Sequence, residues 1–360
     1  MTDLAPTILA AWYGLLASFM SCLLLVGTKR WHGAITLDST AGVQKFHTSP
    51  TPRVGGLGLL IGLIVAWHKL PKNNEMTDLL GLMLIAGMPA FVFGTAEDLT
   101  KRVGVRERLL ATMASGVLAW WLTGISLIRI DVWGIDSLLT WMPLSVVFTA
   151  FAVGGVSNSI NIIDGFNGLA SGTLVISYSA IGLIAHQAGD SELAQVCLIL
   201  ISVTLGFFLI NFPFGKIFLG DGGAYLMGFL LAWVAVLLLA RNAQVSAWAP
   251  LLACGYPILE VLFSIWRRHR RDLHPGHPDR LHLHSLVKSR LIKKRLPHLS
   301  AVLRNACVSP LIWLFALVPA SLSVVFFAST TWLIGSLLIS TIIYSILYSR
   351  IIYFGWKFPK

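Results

Sequence analysis

The chain has 360 residues, a mean hydropathy of +0.77 and 12% charged residues, against about 25% in a soluble globular domain. That composition excludes an ordinary water-soluble domain, and apolar runs of roughly 20 residues recur along it, each able to cross ~30 Å of hydrocarbon. The expected fold class is an all-α polytopic integral membrane protein, one membrane-embedded domain over residues 1–360, whose net charge of +11 needs no nucleic acid to explain it.

The first apolar run, Pro6 to Val26, follows "MTDLA". No basic residue precedes it and no small-residue cleavage site follows, so it reads as a retained span and not a signal peptide. Eleven spans are expected, near 7–27, 54–70, 79–95, 109–127, 142–158, 169–187, 193–211, 223–240, 247–266, 310–328 and 331–348. The last two are joined only by Ser329-Thr330-Thr331 and could form one bent hairpin. Cys22, Cys197, Cys254 and Cys307 are far apart, with no C-x-x-C, and are expected as free, buried thiols. Taking loops in alternation, all but four of the 27 Lys and Arg residues fall in 28–53, 96–108, 159–168, 212–222, 267–309 and 349–360. The exceptions are Lys69, Lys72, Arg129 and Arg241. The positive-inside rule then places that set and the C-terminus in the cytoplasm, and the N-terminus outside.

Five of these loops carry polar clusters that charge bias does not explain. Loop 28–53 runs into "KFHTSPTPRVGGLG", where Pro50 and Pro52 break helix and Gly55-Gly56 let a backbone pass closely; an ordinary turn would look similar. Loop 96–108 opens with the adjacent acids Glu97 and Asp98, which could hold a divalent metal, serve as a base, or simply pair with Lys101 and Arg102. In "NSINIIDGFNGLASG", Asn158, Asn161, Asp164 and Asn167 recur every three residues, near one face if the segment is helical. Their oxygens, with access past Gly165 and Gly168, suit a hard cation, a diphosphate or a sugar. In "NFPFGKIFLGDGGAYLMG", Asn211 and Lys216 precede Asp221, whose neighbours Gly220, Gly222 and Gly223 leave its carboxylate unhindered. Mg²⁺ is typically held by one or two carboxylates plus substrate phosphates, although Asp221 could equally be a helix cap. The last cluster, "HPGHPDRLHLHSLVKSR", holds His274, His277, Arg280, His282 and His284. Its spacing matches no standard zinc site. Arg280, His282 and His284 alternate and would share one face of an extended segment, which suits phosphate oxygens. Together these loops describe a Mg²⁺–nucleotide site at the cytoplasmic membrane face.

In this order, across residues 45 to 290, "PTPRVGG", "AEDLTKR", "NSINIIDGFNGLASG", "NFPFGKIFLGDGGA" and "PDRLHLHSL" resemble the polyprenyl-phosphate N-acetylhexosamine-1-phosphate transferases. The eleven-span layout is similar to the branch that starts O-antigen synthesis. The resemblance implies a Mg²⁺-dependent phosphoglycosyl transferase (Mn²⁺ as the alternative) of the bacterial inner membrane. A UDP-N-acetylhexosamine, GlcNAc or a 6-deoxy relative, would give its sugar-1-phosphate to undecaprenyl phosphate and release UMP. That step would start lipopolysaccharide or another envelope polysaccharide. The implied partners are those two substrates and membrane lipid, with no nucleic acid, and the chain acts as a monomer or a homodimer.

The resemblance also implies roles. Asp221 matches the metal-binding Asp of F-x-G-D-x-G, with Asp164 beside it on the metal. Asp98 matches the second acid of an Asp-Asp pair, a proposed base towards the lipid phosphate, with Glu97 in the first place. Asn161 and Asp164 match N-x-x-D-G, and Asn211 an Asn ahead of the metal Asp. His282 matches the first His of H-x-H-H, and Lys45, Asn167, Arg280 and His284 complete the substrate-binding set. Glu97 for Asp, Asn167 for Asp and Ser285 for His are departures that argue against the peptidoglycan branch. Two rival classes are a transporter or flippase and a lipid-binding scaffold. The first wants ionisable groups at mid-membrane depth, whereas those that fall within spans, Glu260 and His186 among them, lie towards the ends. The second, built on Arg267 to Arg271, leaves Asp221 and the asparagines unexplained.

Overall fold

A computed structural model describes residues 4–38, 50–72, 74–270 and 281–353; Lys45, His274, His277 and Arg280 lie outside the described residues. The described residues are helical almost throughout, because backbone polar groups in hydrocarbon must be satisfied within their own segment. The helices are α1 Leu4–Gly27, α2 Lys29–Thr36, α3 Gly55–Lys69, α4 Glu75–Thr100, α5 Val105–Thr123, α6 Ile135–Leu139, α7 Met142–Ile163, α8 Leu169–Gln187 and α9 Ser191–Asn211. They continue with α10 Gly220–Arg241, α11 Trp248–Ala253, α12 Gly255–His269, α13 Leu283–Leu286, a π-helical turn Val287–Ile292, α14 Lys293–Arg295, α15 Ala301–Ala306, α16 Val308–Val325 and α17 Thr330–Ile352. Two-residue strands β1 (Leu37–Asp38) and β2 (Thr51–Pro52) pair antiparallel.

Every one of the eleven expected spans meets a helix, but among the described residues eight helices are long and apolar enough to cross a membrane by themselves. The other three depart for separate reasons. Helix α3 has 15 residues and so reaches only about 22 Å. Helix α5 begins with Arg106, Glu107 and Arg108, and stops at Gly124 (φ +72°) instead of running on to 127. The expected span 247–266 is broken at Cys254 into α11 and α12. Pro257 explains the break, since its ring opposes the carbonyl four residues earlier, on Ala253, the last residue of α11. The hairpin question resolves into two helices, with Ser329 as the N-cap position of α17. All four cysteines are free, three of them buried.

Helix α10 is the hub: it is buried along nearly its whole length and packs against α3, α4, α7 and α8. The alternate loops gather at two ends. At one end Arg53 reaches Asp98 and Asp221, and Asn167 donates to Pro213 O at 2.8 Å. At the other, Ser246 N donates to Phe327 O at 2.9 Å and Ala247 N to Asp131 at 2.7 Å. Two of the four basic residues that broke the charge bias are neutralised there. Arg241 meets Glu75, Asp190 and Glu192 at 2.8–2.9 Å, and Arg129 meets Asp131 at 2.6 Å. Compensated charge at that end sharpens the asymmetry that the sequence shows.

Candidate active site

The seam of the site is a backbone pairing between two distant motifs. Phe218 N donates to Pro52 O at 2.8 Å, and Gly55 N and Gly56 N donate to the carbonyls of Phe218 and Leu219 at 3.0 Å. So close a passage needs glycine. A Cβ on Gly56 would stand 2.4 Å from Gly223 N. Gly220, at φ +74°, would put one 2.3 Å from Arg53 O and 2.6 Å from Asp98 Oδ2. The glycines of "PRVGG" and "GDGG" thus serve each other.

That seam brings three acids and two arginines together. Asp98 lies on the last turn of α4, not in a loop as expected, and is 3% exposed. Its Oδ1 accepts from Asp221 N at 3.0 Å and its Oδ2 from Gly222 N at 2.9 Å. It therefore caps α10, satisfying N–H groups that the helix's own first turn leaves open. The capping alternative expected for Asp221 falls to Asp98 instead. Asp221 is left to project sideways, its Oδ1 held by Arg53 Nη2 at 2.9 Å and its Oδ2 by Arg108 Nη1. Arg53 Nε also lies 3.5 Å from Asp98, so Arg53 and not Lys101 or Arg102 is the charge partner of that acid. Glu97 turns the other way, accepting Val103 N at 2.9 Å.

Asp164 caps the C-terminal end of α7 and keeps part of its surface exposed. Desolvation pushes its pKa up to about 7 against the pull of Arg53, with Asp221 and Asp98 adding to the rise and the Gly220 N–H opposing it. An acid in this state exchanges its proton readily for a cation near neutral pH.

The asparagine series does not share one face. Helix α7 stops at Ile163, so only Asn158 and Asn161 are helical. Asn158 Nδ2 donates to Gly154 O on its own helix at 2.8 Å, and Asn161 Nδ2 to Tyr225 OH at 2.9 Å, one turn after Asp221. Asn167 and Asn211 are buried staples. Asn211 accepts Gly168 N at 2.6 Å and donates to Ile217 O at 2.7 Å. Asn167 donates to Pro213 O, its own N–H meets Asn305 Oδ1 at 2.8 Å, and its carbonyl accepts Ser309 Oγ at 2.6 Å. With their amides spent on the chain, both hold the loop that follows Asp164 and the loop that leads into α10 and Asp221.

The histidines enter from the other side of loop 164–168. Their rings stack, with centroids 5.2 Å apart and planes 4° apart, and His284 meets Phe166 edge-on at 5.3 Å. The extended segment expected there ends at His282, because α13 starts at Leu283. Both Nδ1 atoms point into the protein, His282 to Glu260 Oε1 at 2.9 Å and His284 to Tyr256 OH at 3.0 Å. Glu260 is fully buried and also accepts Tyr344 OH at 3.0 Å and Leu283 N at 3.2 Å. With Nδ1 engaged, Nε2 is the atom left for a ligand. Burial, outweighing Glu260 and reinforced by His282, lowers the pKa of His284 to about 3, so that ring is neutral at pH 7. Lys288 lies over the Phe166 ring at 5.4 Å, and burial, with Arg304 adding, brings its pKa down to about 8. Arg53, Arg108, Tyr225, Glu260 and Lys288 were not singled out from sequence as site residues. Arg53 lay inside a quoted motif; Glu260 showed only as an acid within an apolar run.

Residues 80–239 match the model of Glycosyl transferase family 4. Over that segment, less than half of its 360 residues, the chain is similar to this family. The matched segment spans α4 to α10 and so contains Asp98, Asp164 and Asp221, while Arg53, Glu260 and His282 lie outside it. The chain is 27% identical over 262 residues to the undecaprenyl-phosphate alpha-N-acetylglucosaminyl 1-phosphate transferase of Yersinia pestis, covering 70% of each chain. It is 29% identical over 301 residues to a probable undecaprenyl-phosphate N-acetylglucosaminyl 1-phosphate transferase of Bacillus subtilis, covering 81% of this chain and 77% of the relative. The Escherichia coli K12 relative of the first type is 26% identical over 257 residues, covering 68% and 67%. The chain is thus a distant homologue of these transferases.

Proposed function

We propose that the protein transfers N-acetylhexosamine-1-phosphate from a UDP-linked donor to undecaprenyl phosphate and releases UMP. The observation that carries this reading is the convergence of Asp98, Asp164, Asp221 and Arg108, all in the matched segment, with Arg53 from outside it. The names of the relatives support the donor and acceptor classes. The donor is GlcNAc-linked or a 6-deoxy relative, and the product enters lipopolysaccharide or another envelope polysaccharide.

Both substrates are anions, so their approach needs positive charge in the site. Arg53 and Arg108 supply it, and Asp221 holds both guanidinium groups in place before substrate arrives. The donor set suits Mg²⁺, with Mn²⁺ able to substitute. Asp221 and Asp164 offer hard oxygens, and Mg²⁺ ordinarily takes one or two carboxylates and completes its shell with phosphates and water. Bound there, the ion would neutralise the diphosphate. The acceptor's ionised phosphate oxygen attacks the sugar-bearing phosphorus; a new P–O bond forms and the bond to UMP breaks. A phosphate monoester is largely dianionic at pH 7 (second pKa ≈ 6), so it needs little help from a base. We therefore give Asp98 a positioning role, holding the first turn of α10 and hence Asp221. His282 and His284 present Nε2 towards the donor, with Glu260 fixing their orientation. We place this site in the cytoplasm, from the charge asymmetry of the loops.

Purified protein incubated with undecaprenyl phosphate and labelled UDP-GlcNAc, UDP-QuiNAc or UDP-FucNAc should release UMP with one of them. Folded, lipid-loaded protein that releases none with any of these donors would sink the reading.

A further inference from the structure

A cavity of about 540 Å³ opens between α12, α13 with its π-helical turn, α16 and α17. None of its lining residues lies in the family segment 80–239. Its walls are apolar, from Leu259 and Phe315 to Leu347, and Leu314, Val318 and Ile343 at its edge are exposed on the face that a bilayer would cover. One end is different. Arg290, Lys294, Arg295 and Arg350 line it, with no acid among the lining residues. Arg290 also donates to the carbonyls of Ile351 and Ile352, which ties the π-helical turn to the end of α17 and holds Arg350 near it.

Depth is the second argument. Along α17 the lining runs from Ser340 to Arg350, a rise of about 15 Å. That is half of the ~30 Å hydrocarbon layer. The groove is one leaflet deep, open to lipid along its side and cationic at the interface.

We infer that this groove binds an anionic phospholipid of the cytoplasmic leaflet, with an acyl chain between α16 and α17 and its phosphate among Arg290, Lys294, Arg295 and Arg350. Basic pockets between helices on the cytoplasmic side recognise anionic headgroups in this way, and guanidinium groups match phosphate oxygens. A chain of undecaprenyl length would overrun a single leaflet, which favours a phospholipid over the acceptor substrate. The inference stands apart from the proposed transfer activity, but it touches that site. Tyr256 and Tyr344 line the groove, and their hydroxyls also bond His284 and Glu260. A bound acyl chain would press on the two rings that orient the histidines.

The test uses the full chain, purified in neutral detergent and given phosphatidylglycerol or phosphatidylcholine. Thermal melting and native mass spectrometry read binding. Phosphatidylglycerol should raise the melting temperature and stay bound, and phosphatidylcholine should do neither. A triple variant, Lys294→Gln with Arg295→Gln and Arg350→Gln, should weaken phosphatidylglycerol retention by about tenfold or more. Ser340→Trp, which fills the deep end without changing charge, should weaken it too, so the test survives misfolding of the triple variant. A control with Lys29→Gln, Arg30→Gln and Arg102→Gln should retain lipid as the parent does. Equal loss in the control, equal stabilisation by phosphatidylcholine, or unchanged retention in both groove variants would overturn the inference. So would displacement of phosphatidylglycerol by equimolar undecaprenyl phosphate, or a lipid-free dimer that Ser340→Trp dissociates.

Discussion

Replacing Asp98 by Asn separates a positioning carboxylate from a proton-accepting one. The two oxygens of Asp98 accept the N–H groups of Asp221 and Gly222 at 3.0 and 2.9 Å, and the residue is 3% exposed. Each bond to a charged acceptor is worth ~1.5–3 kcal/mol. Asparagine keeps one acceptor oxygen and turns an NH₂ towards the other donor. One charge-assisted bond is lost, the second becomes neutral, and a buried N–H is left facing a donor, which costs ~1–3 kcal/mol more. The sum is about 3–7 kcal/mol, before the loss of the Arg53 contact. Taken by folding, it lowers the melting temperature by roughly 10 °C. The loosened first turn of α10 also lets Asp221 move, and turnover then falls by about a hundredfold or more. The assay is paired: melting without substrates, and UMP release with them. A positioning role predicts that both fall together. A variant that melts within ~2 °C of the parent yet loses turnover would refute the capping argument and return Asp98 to the role of base. Glu97→Gln is the internal comparison. It disturbs one bond, from Val103 N, and should cost no more than ~1.5 kcal/mol.

Asp221→Asn should fold, because the backbone of Asp221 and not its carboxylate is held by Asp98, but UMP release should drop by about a hundredfold or more; near-parent activity would remove Asp221 from the site. Glu260→Gln should destabilise by about 1–3 kcal/mol, as leaving a buried donor without its acceptor does, and His282→Ala should cut turnover by about ten- to a thousandfold; parent-like melting of the first, or full activity of the second, would count against the Glu260–His282 unit. Asp164 predicts a pH dependence. Its pKa in the folded chain is about 7, well above the ordinary carboxylate range, so the folded state binds the proton more tightly. Without Mg²⁺, its contribution to stability is full in acid and is lost as pH rises from about 4 to 7. Asp164→Asn should flatten that part of the melting curve, and unchanged slopes in the two proteins would contradict the raised pKa.

Membrane class, the positions of the apolar segments and the clustering of basic residues in alternate loops were legible in the sequence, because each rests on local chemistry. A run of apolar residues and a basic loop carry their meaning wherever they fold. The same holds for the glycines beside Asp221, where close backbone passage could be expected before its partner was known. Helix ends were less legible. The break at Cys254 depends on where one proline ring falls against one carbonyl, and α4 runs past the apolar residues to include Glu97 and Asp98. Which atom serves which function was decided only in three dimensions. Asp98 caps α10 because α4 delivers it to a helix start 123 residues away in sequence. Asn167 and Asn211 read as ligand groups in the chain, yet their amides are spent between loops. Glu260, an isolated acid in an apolar run, becomes the anchor of two histidines. Sequence specifies which donors and acceptors exist, whereas the cost of leaving a buried one unpaired selects their partners, and that cost arises only once the helices have packed.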